Sequence, residues 1–248
     1  MIIDLIRNYK FLNTITVIFV VILLLSNLIA SIKITQIDLP FIGKVSFAAG
    51  LLFFPISYLV GDLLTEVYGY AKSRQVIWTG FISLIVSNIL IKILVSLPPD
   101  PNWNLQSSYE AIFAMSFRVS IASMLAFFCG EFCNSYVVAK LKVLCEGKFT
   151  ALRIIGSTVA GELVDTLIFY PLAFWGDPNF PPDLIFRIMI MNYLVKVTWE
   201  VIAYPGTKQL IKFLKRSENE DYYDRHTDFS PFHLSENDST QLPSNQRT

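Results

Sequence analysis

The 248-residue chain is short of charge, of histidine and of cysteine. Only 16% of its residues are charged, and 20 acidic side chains balance 20 basic ones, so the net charge is zero. A soluble domain carries roughly 25% charged residues, and a nucleic-acid surface needs an excess of positive charge. The first shortage argues against a soluble globular protein, and the second removes nucleic acid as a partner. Cys129, Cys133 and Cys145 have no CxxC spacing, so they indicate neither a disulfide framework nor a zinc site. Both histidines, His226 and His233, lie in the last stretch of the chain, which argues against histidine-based catalysis in the apolar part. The HExxH, Gly-x-Gly-Asp and Walker phosphate-loop patterns are missing as well. The expectation is a non-enzyme with no cofactor and no metal, in which any use of ATP would require a partner.

What the chain has in quantity is apolar surface: 53% hydrophobic residues, including 20 Phe and 11 Tyr. A membrane-spanning helix needs about 20 predominantly apolar residues. Six stretches meet that length, at about 12–32, 46–68, 76–97, 113–139, 154–175 and 186–211. The fold class is therefore all-α, a polytopic membrane protein with six transmembrane helices. Residues 1–215 form the transmembrane domain. Residues 216–248, which hold ten of the forty charged residues and no apolar run, form a polar acidic tail expected to be disordered. Lys and Arg collect on one side of this topology. With the N-terminus inside, the cytoplasmic segments carry Arg7, Lys10, Lys72, Arg74, Lys140, Lys142, Lys148, Arg153, Lys208, Lys212, Lys215 and Arg216. The opposite face has only Lys33, Lys44 and Arg187. Both termini are expected in the cytoplasm.

The halves echo each other. Gly61-Asp62-Leu63-Leu64-Thr65-Glu66 in the second span is similar to Gly161-Glu162-Leu163-Val164-Asp165-Thr166 in the fifth. With three spans per half, these segments cross in opposite directions, as in a 3+3 inverted repeat whose site lies near the midplane.

Ionisable residues inside the spans carry the functional argument. An ion at a helix centre costs roughly +2.5 to +3.5 kcal/mol, against about −0.3 to −0.6 for each large aliphatic residue. Such groups persist where they face a bundle interior or a wet cavity and mark a pathway. The acids are Asp62, Glu66, Glu131, Glu162, Asp165 and Glu200, and the bases Lys92, Arg118 and Lys196. Asp62 and Glu66 are spaced i, i+4, Glu162 and Asp165 i, i+3, and Lys196 and Glu200 i, i+4, so each pair shares a helix face. Lys196 and Glu200 can neutralise each other within one helix. Lys92 can snorkel to the interface. Glu66 lies close enough to the cytoplasmic end to be interfacial. Asn27, Asn134 and Trp199 offer neutral polar groups and a stacking face. A surplus of unpaired carboxyls suits either proton relay or a solute rich in hydrogen-bond donors, and both outcomes mean transport.

Longer strings resemble a known family. They include Phe54-Pro55-Ile56-Ser57-Tyr58 followed by Gly61-Asp62-Leu63-Leu64-Thr65-Glu66-Val67-Tyr68-Gly69-Tyr70, then Gly130-Glu131-Phe132-Cys133-Asn134-Ser135. Gly161-Glu162-Leu163-Val164-Asp165-Thr166, Lys196-Val197-Thr198-Trp199-Glu200 and the tail Asp221-Tyr222-Tyr223-Asp224 continue the match. Together they resemble the queuosine precursor transporter family over nearly the whole chain. The resemblance implies a bacterial inner-membrane importer of 7-cyano-7-deazaguanine or 7-aminomethyl-7-deazaguanine, used to make the modified tRNA base queuosine. It acts alone, as a homo-oligomer or with an energising partner. A guanine-like edge presents donors that carboxylates accept bidentately. Asp165 and Glu162 are the expected base-edge acceptors, with Asp62 and Glu66 as mirrored or proton-coupling partners. Asn27, Arg118, Asn134 or Lys196 would donate to the ligand, and Trp199 would stack on it. Glu131 and Glu200 complete the candidate binding set. The nearest competing expectation is the membrane substrate-binding subunit of an ATP-driven uptake system for a vitamin- or nucleobase-like solute.

Overall fold

The computed structural model describes residues 9–30, 34–39, 43–48, 50, 53–113 and 117–233. Arg7 and Lys33, counted above for orientation, lie outside the described residues. Six long helices carry the fold: α1 (Leu12–Ala30), α2 (Phe54–Tyr68), α3 (Tyr70–Ser96), α5 (Phe117–Leu144), α6 (Thr150–Phe174) and α7 (Pro182–Glu218). A short α4 (Gln106–Phe113) precedes α5, and one antiparallel hairpin, β1 (Ile34–Leu39) with β2 (Gly43–Ala48), joins α1 to α2.

The burial pattern is inverted relative to a water-soluble protein. Asp62, Glu66, Glu131, Glu162 and Glu200 are 0% exposed, whereas Ile190 is 59%, Phe117 67% and Ile202 75% exposed. Apolar patches of that extent require an apolar solvent, and helices satisfy their own backbone within one. Tyr70–Ser96 and Gln106–Leu144 are the stretches long and apolar enough to cross a bilayer by composition alone. The chain is an all-α, multi-pass membrane protein.

Three boundaries differ from the sequence expectation. The second span, read as 46–68, begins at Phe54, because residues 43–48 alternate in a strand and Pro55 opens the helix. Fifteen residues at about 1.5 Å each make α2 roughly 22 Å long, less than the hydrocarbon thickness of about 30 Å. Twelve of the fifteen are buried, so α2 is the enclosed axis of the bundle. The fourth span, read as 113–139, is wider than expected, with helix at Gln106–Phe113 before it and helix on to Leu144 after it, and the sixth belongs to a single 37-residue helix.

The tail also departs from expectation. Residues 219–233 lie across the face that bears the α2–α3 and α5–α6 turns, forming a strap. Asp224 accepts from the first α3 amide, Tyr70 N, at 3.1 Å and from Thr227 Oγ1 at 2.8 Å. Arg74 donates to the carbonyls of Asp228 and Ser230, and Trp78 Nε1 to that of Pro231. Lys142 donates to the carbonyl of Tyr222 and pairs with Asp221. At the α2–α3 turn Gly69 has φ +84°, a conformation that side chains disfavour, and a Cβ there would strike the Tyr222 ring. A tail with no apolar run is expected to be disordered; buried bases, a helix start and the packing of Phe229 against Tyr70 and Tyr136 hold residues 219–233 instead. Residues 234–248 lie outside the described residues.

The same face holds the tightest ion cluster. Glu66 accepts from Arg153 at both oxygens, 3.2 Å to Nε and 2.7 Å to Nη2, and from Lys215 Nζ at 2.7 Å. Lys142 Nζ donates to the Glu66 carbonyl at 2.6 Å. One residue of α2 thus binds α5, α6 and α7.

Two predictions follow from this face. Glu66→Met strands Arg153 inside the bundle, and breaking such a buried pair costs about 3–5 kcal/mol. Unfolding in detergent micelles is expected to show that loss, with partial recovery in the Glu66→Met/Arg153→Met double variant. Burial raises the pKa of Asp221, but Lys142 and Lys215 outweigh it and hold the carboxyl below its ordinary value. A depressed folded pKa contributes stability above the unfolded value and loses it as pH falls towards the folded one. NMR signals of residues 222–230 should therefore move towards coil positions on acidification, and Asp221→Asn should show that shift already at neutral pH.

Candidate functional site

One helical turn from Glu66, on the side away from the strap, α2 carries Asp62. Its Oδ1 accepts from Asn134 Nδ2 of α5 at 2.8 Å and from Ser157 Oγ of α6 at 3.3 Å, while Oδ2 has no hydrogen-bond partner. Lys196 of α7 sits between two α6 carboxylates, 2.7 Å from Glu162 Oε2 and 2.8 Å from Asp165 Oδ2. Its ammonium lies 4.5 Å from the centroid of the Phe54 ring. The spacing of Glu162 and Asp165 explains this shared contact, since residues three apart on a helix project together.

Lys196 therefore does not pair with Glu200 inside α7, as the i, i+4 spacing allowed. The acids of α6 reach it across the interface. Glu200 is fully buried with both oxygens unpartnered, within electrostatic reach of Asp62 and Glu162. Glu131 is in the same condition, its carboxyl against α2 where a Cβ on Gly61 would collide with it. Asn134 Oδ1, Glu162 Oε1, Thr166 Oγ1 and Tyr58 Oη are buried and unpartnered as well. A buried polar atom without a partner costs about 1–3 kcal/mol. This many in one place, from four helices, make the cluster the candidate functional site of the bundle.

α5 and α6 approach closely enough to shape this site. A Cβ on Gly161 would lie 2.8 Å from Asn134 Cβ and 2.9 Å from the Gly130 carbonyl, so only glycine fits at the contact.

The candidate residues divide into those gathered here and those held elsewhere. Asp62, Glu131, Asn134, Glu162, Asp165, Lys196 and Glu200 converge. Trp199 is half-buried on α7, one residue before Glu200. Glu66 belongs to the ion cluster under the strap. Arg118 donates to the carbonyls of Leu172 and Trp175 at the far end of α6, 2.6 and 2.5 Å away, where it closes a helix terminus. Asn27 binds its own helix at Leu23 O and accepts from Ser123, lining a largely apolar cavity of about 260 Å³ with Asn88 and Leu84. Tyr58, Ser157 and Thr166 were missed. Tyr58 precedes Asp62 by four residues and so shares its face, a spacing signal that its aromatic character masked. Among the described residues, no group of three or more His, Cys, Asp or Glu is arranged to hold a metal ion.

Comparison with known proteins agrees with this architecture. Residues 48–209 match the family model described as putative vitamin uptake transporter. A protein of Bacillus subtilis (strain 168) named probable queuosine precursor transporter is 30% identical over 178 residues, covering 71% of this chain and 74% of that protein. The queuosine precursor transporter of Escherichia coli (strain K12) is 24% identical over 156 residues, 62% of this chain and 68% of its own length. No solved structure matches. The matched region contains every residue of the acidic site, and the chain belongs to the queuosine precursor transporter family, the group that the family model describes as putative vitamin uptake transporters.

Proposed function

We propose that this chain imports 7-deazaguanine precursors of queuosine, 7-cyano-7-deazaguanine or 7-aminomethyl-7-deazaguanine, across a bacterial inner membrane, with both termini in the cytoplasm. The orientation rests on the excess of Lys and Arg at the strap face. The names of the relatives supply the substrate class. The observation that carries the reading is the chemistry of the buried site. Five carboxyls (Asp62, Glu131, Glu162, Asp165 and Glu200) face one ammonium, and the unpartnered atoms are mostly acceptors. A deazaguanine matches them, because its ring N–H groups and exocyclic amine are donors and a carboxylate accepts two of these side by side. The acidic surplus also favours the aminomethyl compound, whose cation welcomes a further carboxylate.

This reading gives each residue a role. Glu131, Glu200 and the free oxygens of Asp62 and Glu162 form the accepting wall. Lys196 keeps Glu162 and Asp165 oriented. Asn134 and Ser157 fix the side chain of Asp62. Trp199, one residue before Glu200, and Phe54, whose ring lies 4.5 Å from the Lys196 ammonium, are the candidates for stacking on the base. Glu66 and Arg118 belong to the frame.

The direct test is complementation. Expressed in a queuosine-biosynthesis mutant without its own importer, the chain should restore queuosine in tRNA when a deazaguanine precursor is supplied, with the aminomethyl compound effective at the lower concentration. Failure with both precursors would overturn the reading. Uptake by the purified chain in sealed vesicles, abolished by a protonophore, would identify a self-sufficient proton-coupled carrier. A requirement for an added ATPase would identify the ATP-driven system. Within the site, Lys196→Met removes the only ammonium bound to Glu162 and Asp165 among the described residues. Glu162 and Asp165 then lose their fixed positions, so at equal protein level in the membrane the initial rate of labelled precursor entry should fall by about tenfold, the size of one lost polar contact.

A further inference from the structure

Tyr58 is fully buried on α2, and its hydroxyl has no hydrogen-bond partner. The ring sits in a notch formed where α5 and α6 meet. A Cβ on Gly161 would lie 3.2 Å from Tyr58 Cε1, and one on Gly130 would collide with the hydroxyl oxygen while lying 3.0 Å from Asp165 Cβ. Both glycines thus leave room for a phenol, and the hydroxyl and Asp165 flank the same spot. Phenylalanine would fill the notch without stranding a buried hydroxyl, whose isolation costs about 1–3 kcal/mol. Packing alone does not account for the oxygen.

The surroundings indicate what the hydroxyl does. Glu131, Glu162 and Asp165 all lie within its electrostatic reach. The stronger donors nearby are engaged: Asn134 Nδ2 on Asp62, and Lys196 Nζ on Glu162 and Asp165. Asp62, Glu131, Glu162, Glu200 and the Asn134 carbonyl contribute only acceptor oxygens when the acids are ionised. Tyr58 is therefore a free neutral donor on α2, near a carboxylate, Glu131, that has both oxygens open.

We propose that Tyr58 is a specificity-determining residue: its hydroxyl donates to the keto oxygen of a guanine-like base while Glu131 accepts the adjoining ring N–H and exocyclic amine. The inference rests on the proposed function and names the atom that reads the keto group. A row of donor, donor and acceptor on the ligand edge would then meet acceptor, acceptor and donor on the protein. A site of carboxylates alone would leave the keto oxygen facing negative charge, and Tyr58 relieves that conflict.

The test uses the full chain in lipid nanodiscs and two probes, 7-aminomethyl-7-deazaguanine and its 6-thioxo analogue. The analogue keeps every ring donor and weakens only the acceptor. The wild-type chain should bind the keto compound about five- to tenfold more tightly, the size of one neutral hydrogen bond. Tyr58→Phe should lose that factor for the keto compound alone, bringing the two affinities together, and should unfold at the same temperature as wild type or higher. Gly130→Ala, which displaces the hydroxyl from its notch, should reduce the preference in the same direction. A Tyr58→Phe chain that binds both probes with the wild-type preference would overturn the inference and leave the substrate reading intact. A wild-type chain that binds neither probe, nor 7-cyano-7-deazaguanine, would overturn the substrate reading and this inference with it.

Discussion

The contact on which the bundle depends is the one around Glu66. Its carboxylate joins α2 to Arg153 of α6 and Lys215 of α7, and its backbone carbonyl receives Lys142 of α5. In lipid, apolar contact between helices is no better than contact with acyl chains, so interhelical polar contacts and close packing decide how helices assemble. Four helices and the strap meet at one residue. Removing it would leave the arrangement of the remaining helices without a common fixed point.

Four residues earlier on the same helix, the chemistry reverses. Glu66 has both oxygens occupied by cations, whereas Asp62 has one oxygen committed to Asn134 and Ser157 and one free. Both residues are equally buried acids, and burial alone would not distinguish them. Hydrogen-bond satisfaction does: the saturated ion fastens helices together, and the unsatisfied one keeps an oxygen available. Arg118 and Lys196 are both satisfied, and place separates them: Arg118 closes the end of α6, whereas Lys196 crosses from α7 to two carboxylates of α6 inside the acidic cluster.

Much of this was legible in the chain itself, because lipid imposes a strong constraint on composition. Long apolar runs and expensive charges are easy to read, so the all-α spans and the acids at 62, 131, 162, 165 and 200 stand out before any coordinates. Boundaries were harder. Residues 43–48 are as apolar as a helix start but alternate in a hairpin, and hydropathy does not separate the two states over six residues. Partners were hardest. The i, i+4 spacing of Lys196 and Glu200 is compatible with a pair, yet the facing helix supplies two carboxylates, and which helix faces α7 is a tertiary fact. Tyr58 stayed hidden because aromatic residues are abundant here, and the oxygen that distinguishes it is invisible to a count of apolar residues. The strap went unnoticed for a related reason, since it is held by carbonyls and carboxylates that no hydropathy scale rewards.

The inverted distribution of polarity has a thermodynamic corollary. In a soluble domain, unfolding hydrates the apolar interior, which raises the heat capacity and bends the stability curve into a dome. Here many large aliphatic and aromatic side chains already face outwards, and separating the helices within a bilayer would leave both these and the buried ones in hydrocarbon. The heat-capacity change of that step is correspondingly small, and the balance between packed and separated helices varies only gently with temperature. The cohesion of this protein in a bilayer thus rests on close packing and on contacts among its buried ions, and varies less with cooling or heating than the hydrophobic effect would make it.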